Sequence, residues 1–201
     1  TEKLFPVLDE DRVSQIDAVV ESEIEKGHLP GAVVLVGCGD ATLYFKAFGD
    51  RAIEPSRVPM HPDTVFDLAS LSKPVGTATS IMILADRHQL QLDDNVSMYL
   101  PAFACNGKGD VRLRHLLTHT SGLPAYTGAA EIRNAYGTVC PEKTLEKICS
   151  LGILSEPGEQ FRYSCLGYIV LGRIVEIVSG QTLDVFTRDN LFAPLGMRDT
   201  F

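Results

Sequence analysis

The sequence predicts two lobes: an α/β lobe with an antiparallel sheet over residues 1–66, and a mostly helical lobe over residues 67–201. In the first part, one amphipathic segment precedes two runs rich in β-branched and aromatic residues. In the second part, segments with helical spacing of apolar residues alternate with loops that contain glycine and proline. A chain of 201 residues is long enough to bury a substantial core or to form two small lobes.

The first predicted element is a helix over residues 9–26. Asp9 or Asp11 can cap its start, and Gly27 can end it. The apolar residues at helical spacing are Val13, Ile16, Val20 and Ile24. This pattern is typical of an amphipathic α-helix, and it places a helix at the start of the α/β lobe.

Two β-rich runs follow, GAVVLVGCGD and ATLYFKAFG, joined around Gly39-Asp40. They predict a β-hairpin over residues 31–48. A lone hairpin is marginally stable and has two open edges. We therefore expect the antiparallel sheet to be incomplete in this chain, because the sequence reaches Phe201 without supplying more strands.

The second part of the chain is predicted to be helical. A proline-rich connection, DRAIEPSRVPMHPDT, leads into it. Helices are expected over residues 70–88, 111–117, 142–151, 164–179 and 182–192. The predicted order is therefore one helix, one hairpin and then a series of helices.

Composition excludes several classes of protein. The net charge of −8 argues against a surface that binds nucleic acid, which needs clustered basic residues. No apolar run is long enough to cross a bilayer. The first residues, TEKLFPVLDED, have neither the basic nor the apolar region of an export signal, so we expect that such a signal was removed or never existed.

The cysteines and histidines do not form a metal-binding pattern. The five cysteines are Cys38, Cys105, Cys140, Cys149 and Cys165. Their odd number and the absence of a C-x-x-C pair predict free thiols, mostly buried, rather than disulfides or a zinc site. His115 and His119 have helical spacing in HLLTH, but the glutamate of the H-E-x-x-H metalloprotease motif is missing.

The strongest candidate for chemistry is Ser70-Leu71-Ser72-Lys73. A serine hydroxyl is a weak nucleophile until a base accepts its proton, and a lysine three residues later lies on the same helical face. Pro74 fits only near a first helical turn, so Ser70 is expected close to a helix N-cap. Burial and the helix dipole would then lower the pKa of Lys73, and the Ser70 backbone N–H becomes a candidate oxyanion donor.

An ordinary helix start is the alternative interpretation of this segment. Serine is a common N-cap and lysine is common within helices. About one S-x-x-K is expected by chance in a chain of this length. The motif by itself therefore does not establish catalysis.

Longer sequence blocks accompany the motif. In order they are FDLASLSKP, LDDNVSMYLP, VRLRHLLTHTSGLP, PGEQFRYSCLGYIVLGRIVEIVSGQ and LFAPLGMRDTF. From about Gly31 to Phe201, this series resembles the serine β-lactamase-related family of class C β-lactamases, DD-peptidases and esterases. S-x-x-K belongs to the motifs of penicillin-binding enzymes. The resemblance implies the two-lobe serine β-lactamase/transpeptidase-like fold, with α/β and all-α parts.

The resemblance also implies roles for individual residues. Ser70 matches the acylated nucleophile, and Lys73 matches its proton partner. Tyr163, in YSC, matches the tyrosine of the family motif Tyr-x-Asn, which moves protons between nucleophile and leaving group. Cys165 stands at the asparagine position and is the candidate substrate-binding residue. Without the family match, Tyr163 would be interpreted as an aromatic anchor at a helix start.

The implied function is that of a serine hydrolase that acts on a β-lactam, a peptide-like amide or an ester through an acyl-enzyme on Ser70. The alternative is a non-catalytic relative or fragment that keeps the fold for binding. No metal or organic cofactor is implied, and the expected partner is a small-molecule substrate rather than nucleic acid or a membrane. By resemblance, a periplasmic or secreted location is favoured over the cytoplasm.

The sequence departs from the family pattern in two places. At Cys165, a thiol offers far less hydrogen bonding than the family's amide, which favours an esterase-like specificity. The later strands of the family, with their Lys/His-Ser/Thr-Gly motif, are expected beyond Phe201, in a longer chain or in a second polypeptide that completes the sheet. HTSG at residues 119–122 has the letters of that motif but falls in another block. His119 and Ser121 are therefore expected to stabilise a loop, and Asp93 and Asp94 to cap a turn.

Overall fold

The computed structural model describes residues 9–137 and 140–201. The chain forms two compact units, Thr1–Asp67 and Leu68–Phe201. Helix α1 spans Glu10–Glu25 in the first unit, as the sequence predicts. The Asp9 carboxylate caps it by accepting from the Arg12 backbone N–H at 2.8 Å, which satisfies one unpaired donor of the first turn.

The sheet of the first unit has three antiparallel strands in the order β1-β2-β3. Strands β1 (Gly31–Cys38) and β2 (Ala41–Ala52) form the predicted hairpin, with a register irregularity between Val36 and Gly37. The short strand β3 (Val58–Pro59) lies in the proline-rich connection, where no strand was predicted. Two residues that include a proline are too short to carry a β-pattern in the sequence.

Asp17 links α1 to the hairpin. Its carboxylate accepts from Lys46 Nζ at 2.7 Å and from the Tyr44 hydroxyl. Hydrogen bonding to Lys46, and then to Tyr44, lowers the pKa of Asp17. Burial and the neighbouring Asp17 carboxylate raise the pKa of Tyr44 to about 12. The helix and strand β2 are therefore joined by polar contacts as well as by packing.

The second unit begins with a composite helical stretch instead of the single helix predicted over residues 70–88. A 3₁₀ turn (Ala69–Leu71) and a π-helical turn (Lys73–Ala78) precede helix α2 (Thr79–Asp86). Pro74 lies in the first turn of the Lys73–Ala78 stretch, where the missing backbone N–H leaves no helical hydrogen bond unmade. Ser70 thus lies within the 3₁₀ turn, two residues before Ser72, the N-cap of the π-helical turn, so it is close to a helix start as the sequence predicts.

The remaining α-helices are α3 (Leu113–Leu117), α4 (Ala129–Tyr136), α5 (Pro141–Ser150), α6 (Cys165–Ser179) and α7 (Leu183–Thr187), which continues as a π turn over Arg188–Phe192. Side chains of α3, α5, α6 and α7 form a shared apolar core, whereas α4 packs against α5. Helix α4 was not predicted, because Ile132 and Tyr136 are its only large apolar residues. No helix in the described ranges combines the length and apolarity needed to cross a bilayer.

Helix α6 is the centre of the second unit. Its apolar side chains Leu166, Val170, Leu171, Ile174 and Val175 are almost completely buried in the core. Helix α3 packs directly against α6 at Gly167, where a Cβ would lie 3.4 Å from a side-chain carbon of Leu116. Since α6 begins at Cys165, its packing fixes the segment that carries Tyr163 just before it.

Lys108 is a fully buried cation in the second unit. Its ammonium donates to the carbonyl oxygens of Cys105 at 2.7 Å, Cys149 at 2.9 Å and Leu151. Burial lowers the pKa of this amine. The three bonds use all of its donors and satisfy two carbonyl groups at the end of α5 and one at Cys105, so the role of Lys108 is structural.

Candidate active site

Ser70 and Lys73 lie on one side of the composite helical stretch. Ala69, just before Ser70, has a φ of +44°, in the left-handed region that non-glycine residues rarely adopt. Ser70 is exposed, and Lys73 is half-buried. The Lys73 ammonium donates to Ser70 Oγ at 3.3 Å. The tight turn thus presents the hydroxyl to solvent while keeping the ammonium beside it.

Tyr163 joins the pair from the segment that precedes α6. Lys73 Nζ lies 5.1 Å from the centre of the Tyr163 ring. Hydrogen bonding to Lys73, and then to Ser70, lowers the pKa of the Tyr163 phenol. The structure therefore brings together the nucleophile candidate and both proton-transfer candidates that the resemblance implied, although about ninety residues of sequence separate the two segments.

The pKa of Lys73 differs from the sequence-based expectation. Hydrogen bonding to Tyr163 raises it, charge and hydrogen-bond interactions with Cys165 act in the same direction, and burial opposes them. Burial and a helix dipole were expected to lower the Lys73 pKa, but Tyr163 and Cys165 raise it by more. Lys73 stays an ammonium, and such a cation beside a phenol favours the phenolate. The arrangement can therefore place a base, Tyr163, next to the Ser70 hydroxyl.

Cys165 is the first residue of α6 and borders the same site. Its backbone N–H donates to the Ala125 carbonyl oxygen at 3.0 Å, so the loop around Ala125 lies against it. It also lines a mainly apolar cavity of about 650 Å³, together with Lys73, Leu145 and Ile169. Of the three clustered groups, Lys73 lines this cavity, which is large enough for a small organic ligand.

A loop over residues 118–124 supports Tyr163. His119 has a φ of +58°, and its ring centre lies 4.5 Å from that of Tyr163. The buried Ser121 accepts from the Leu123 N–H at 3.4 Å. Gly122, with a φ of +76°, contacts the backbone of Ser155 so closely that a Cβ would lie 2.1 Å from the Ser155 carbonyl oxygen. The expectation that His119 and Ser121 stabilise a loop agrees with these contacts.

Asp93 and Asp94, which the sequence predicts to cap a turn, form ion pairs and hydrogen bonds away from Ser70. Asp93 pairs with Arg112 at 3.3 Å and with Arg114 at 2.6 Å. Asp94 accepts from the Gln91 N–H at 2.7 Å, which is a turn contact, as expected. Within residues 9–137 and 140–201, no group of three or more His, Cys, Asp or Glu side chains is placed to hold a metal ion.

Tyr168 is a neighbour of the site that the sequence did not indicate. Its ring centre lies 5.1 Å from that of His119, and its hydroxyl donates to the Leu117 carbonyl oxygen at 3.0 Å. Burial raises the pKa of its phenol, so it stays protonated and structural. An aromatic residue at a half-buried helical position gives no sequence signal that separates this role from ordinary packing.

The family profile described as Beta-lactamase matches residues 16–201, which is most of the chain. The chain belongs to the Beta-lactamase family. Penicillin-binding protein 4* of Bacillus subtilis (strain 168) is 34% identical over 188 residues, which cover 92% of this chain and 40% of that protein. The resemblance that the sequence motifs indicated is thereby confirmed.

Solved structures of this family share the fold. The octameric penicillin-binding protein homologue from Pyrococcus abyssi is 31% identical with a TM-score of 0.79, over 92% of this chain and 43% of that one. EstCE1, a hydrolase with promiscuous acyltransferase activity, is also 31% identical with a TM-score of 0.79, over 92% and 51%. These similarities confirm the predicted serine β-lactamase/transpeptidase-like fold. The chain spans about half or less of the length of these three relatives.

Proposed function

We propose that this protein is a serine hydrolase that forms an acyl-enzyme on Ser70. The observation that carries the proposal is the cluster of Ser70, Lys73 and Tyr163. An ammonium lies 3.3 Å from the serine hydroxyl, and the same ammonium lowers the pKa of a phenol that also contacts the serine. A nucleophile, a base and a group that stabilises the charged base are the components that covalent catalysis needs.

In the proposed reaction with an ester, the Tyr163 phenolate accepts the Ser70 proton as Oγ attacks the carbonyl carbon. The tetrahedral intermediate collapses, the bond to the leaving alcohol breaks, and Tyr163 returns the proton to the departing oxygen. Lys73 keeps its own proton and stabilises the phenolate before and after the transfer. The acyl group is then bound to Ser70.

Hydrolysis of the acyl-enzyme reverses these proton transfers. A water molecule attacks the acyl carbon and gives its proton to Tyr163, and the bond between carbon and Ser70 Oγ breaks. Tyr163 then returns a proton to Ser70, and the carboxylic acid leaves. The Ser70 backbone N–H is the candidate donor for the oxyanion in both halves of the reaction.

Among β-lactams, peptide-like amides and esters, we propose an ester as the preferred substrate. A thiol at residue 165 cannot offer the paired donor and acceptor of an amide side chain, which an amide substrate would use. The cavity beside Cys165 is mainly apolar, which suits an apolar acyl group. The description of EstCE1 as a hydrolase with promiscuous acyltransferase activity supports transfer of an acyl group without selecting the substrate. The name of the Bacillus relative supports the β-lactam alternative.

Intact-protein mass spectrometry tests the proposal. The protein is incubated with 4-nitrophenyl acetate or, separately, with benzylpenicillin, alongside the variants Ser70→Ala and Ser72→Ala. We expect an acyl adduct from the ester in the parent protein and in Ser72→Ala, but none in Ser70→Ala. Equal labelling of Ser70→Ala would overturn the assignment of the nucleophile. A folded protein that reacts with neither reagent would favour a non-catalytic relative that binds through this fold.

A further inference from the structure

His119 contacts the backbone on both sides of Tyr163. Its carbonyl oxygen accepts from the Arg162 N–H at 2.8 Å, and its ring Nδ1 accepts from the Ser164 N–H at 3.1 Å. His119 has a left-handed φ of +58°, and in this conformation its carbonyl oxygen and its ring nitrogen both accept hydrogen bonds from residues 162–164. Two bonds from a single residue to the two neighbours of Tyr163 restrict where the Tyr163 Cα can lie.

The His119 ring also contacts the Tyr163 side chain. The two ring centres are 4.5 Å apart with an angle of 36° between the planes. Tyr163 is 37% exposed, so the contact with the His119 ring is part of the limited packing that restricts rotation of its side chain. Tyr168 contacts the His119 ring in turn and is anchored to Leu117. The phenol is thus held against Lys73 through a chain of aromatic contacts that starts in the core.

His119 is a neutral imidazole with a defined tautomer. Because Nδ1 accepts a hydrogen bond from a backbone N–H, the ring proton lies on Nε2. Burial, and then the Lys73 ammonium, lower the pKa of His119. A protonated ring would place a second cation near Lys73 and would lose the bond to Ser164. The neutral form is therefore the one compatible with the site.

We propose that His119 is a positioning residue for Tyr163, which holds the phenol at the distance from Lys73 and Ser70 that proton transfer requires. This inference rests on the proposed function, because it assigns Tyr163 as the base. It predicts that His119 acts on Ser70 acylation through Tyr163 and through no other group. General loop stabilisation would instead affect stability and the fraction of active protein.

A double-mutant cycle between His119 and Tyr163 tests whether His119 acts through Tyr163. His119→Asn keeps a side-chain acceptor and a residue type that tolerates left-handed φ, but removes the ring. With 4-nitrophenyl acetate, we expect the acylation rate constant of His119→Asn to fall roughly tenfold to a hundredfold. In a Tyr163→Phe background, the same substitution should change it by less than about twofold. An equal loss in both backgrounds would overturn the proposal.

Ser121→Ala is the matched control from the same loop. Its hydroxyl accepts one long bond from the Leu123 N–H and makes no hydrogen bond to Tyr163, so the acylation rate should stay within about twofold of the parent protein. Thermal unfolding of each variant shows whether it is folded. A loss of rate in Ser121→Ala as large as that in His119→Asn would indicate general disturbance of the loop and contradict the specific role.

A second measurement does not depend on catalysis. The phenolate absorbance of Tyr163 is obtained as the difference between the pH titrations of a protein and of its Tyr163→Phe derivative. The titratable groups around this phenol are Lys73, Cys165, His119 and Tyr168. His119→Asn should move the Tyr163 midpoint upward, toward that of a free phenol, because the ring is no longer held near Lys73. An unchanged Tyr163 midpoint in His119→Asn would overturn the positioning role, even if Ser70 proves inert. If the midpoint shifts but Ser70 cannot be labelled, only the proposed function is overturned.

Discussion

The Lys73 ammonium lies 5.1 Å from the centre of the Tyr163 ring, and hydrogen bonding between the two side chains lowers the pKa of the phenol while it raises that of the amine. Each shift favours the charged form of its own group. Between the two pKa values, the pair consists of a phenolate and an ammonium. Tyr163 is then the group able to accept the Ser70 proton, and Lys73 acts by its charge.

The first prediction concerns Lys73→Met. Acylation of Ser70 should speed up as pH rises through the lowered pKa of Tyr163, and slow again above the raised pKa of Lys73. Without the ammonium, the Tyr163 pKa returns toward its ordinary value, so the rising limb moves to higher pH. At neutral pH we expect the rate constant to fall about a hundredfold. Stopped-flow acylation by 4-nitrophenyl acetate across the pH range measures both effects.

Lys143→Met is the matched control for this experiment, since Lys143 pairs with Glu146 on the surface of α5. Its pH profile should overlay that of the parent protein. If the acylation rate constant of Lys73→Met were lower at every pH but rose with the same midpoint as in the parent protein, Lys73 would not act through the Tyr163 phenol.

The second prediction concerns Cys165→Asn. An asparagine restores the donor and acceptor of the family motif next to Lys73, so amide-like substrates gain a hydrogen-bonding partner. We expect the ratio of benzylpenicillin to ester acylation rates to rise roughly tenfold. Cys38→Asn, at the exposed end of β1, should leave the ratio unchanged. A constant ratio in Cys165→Asn would show that this position does not select between amide and ester substrates.

The regular elements were the easiest to predict from sequence. Helices α1 and α6 have clear periodicity with a glycine shortly after their last residue, and their observed bounds lie within one residue of the expected ones. The hairpin begins at Gly31 as expected, but β2 continues past Gly49 to Ala52. The composite turn around Ser70 has no such signal. Its backbone combines a left-handed Ala69, a 3₁₀ turn and a π turn, and this combination depends on tertiary packing rather than on local propensity.

The approach of Tyr163 to Ser70 and Lys73 was predictable only through family motifs. Ser70 and Lys73 are close in sequence, so their proximity follows from spacing alone. Tyr163 and His119 lie near Ser70 and Lys73 because of contacts between segments far apart in sequence. The spacing of apolar residues does not predict such contacts. The direction of the Lys73 pKa was expected wrongly for the same reason, because it depends on Tyr163 and Cys165 rather than on local burial.

The third prediction concerns the buried cation. In Lys108→Met, a side chain of similar length replaces the ammonium, and the carbonyl oxygens of Cys105, Cys149 and Leu151 lose a charged donor. Relief of the buried charge offsets part of the loss, since burial already lowers the Lys108 pKa. We expect the free energy of unfolding to fall by about 2 kcal/mol. Urea unfolding followed by circular dichroism measures this free energy, and Lys147→Met on the exposed face of α5 is the control. An unchanged unfolding midpoint for Lys108→Met would contradict the structural role.

The fourth prediction concerns Gly122→Ala. The left-handed φ of Gly122 disfavours any side chain, and the added Cβ would lie 2.1 Å from the Ser155 carbonyl oxygen. Either the loop or the segment at Ser155 must move. We expect a loss of about 2 kcal/mol or more in the free energy of unfolding.

Gly109→Ala is the control for this substitution, because a Cβ at Gly109 meets no atom within 4 Å. It should leave stability unchanged within about 0.5 kcal/mol. Since Gly122 lies in the loop that carries His119, Gly122→Ala should also slow Ser70 acylation in the molecules that remain folded, measured as the burst rate per active site. A destabilised variant with the parent burst rate would show that the Ser155 contact supports the fold without influencing Tyr163, and would separate the stability of this loop from its role in positioning the base.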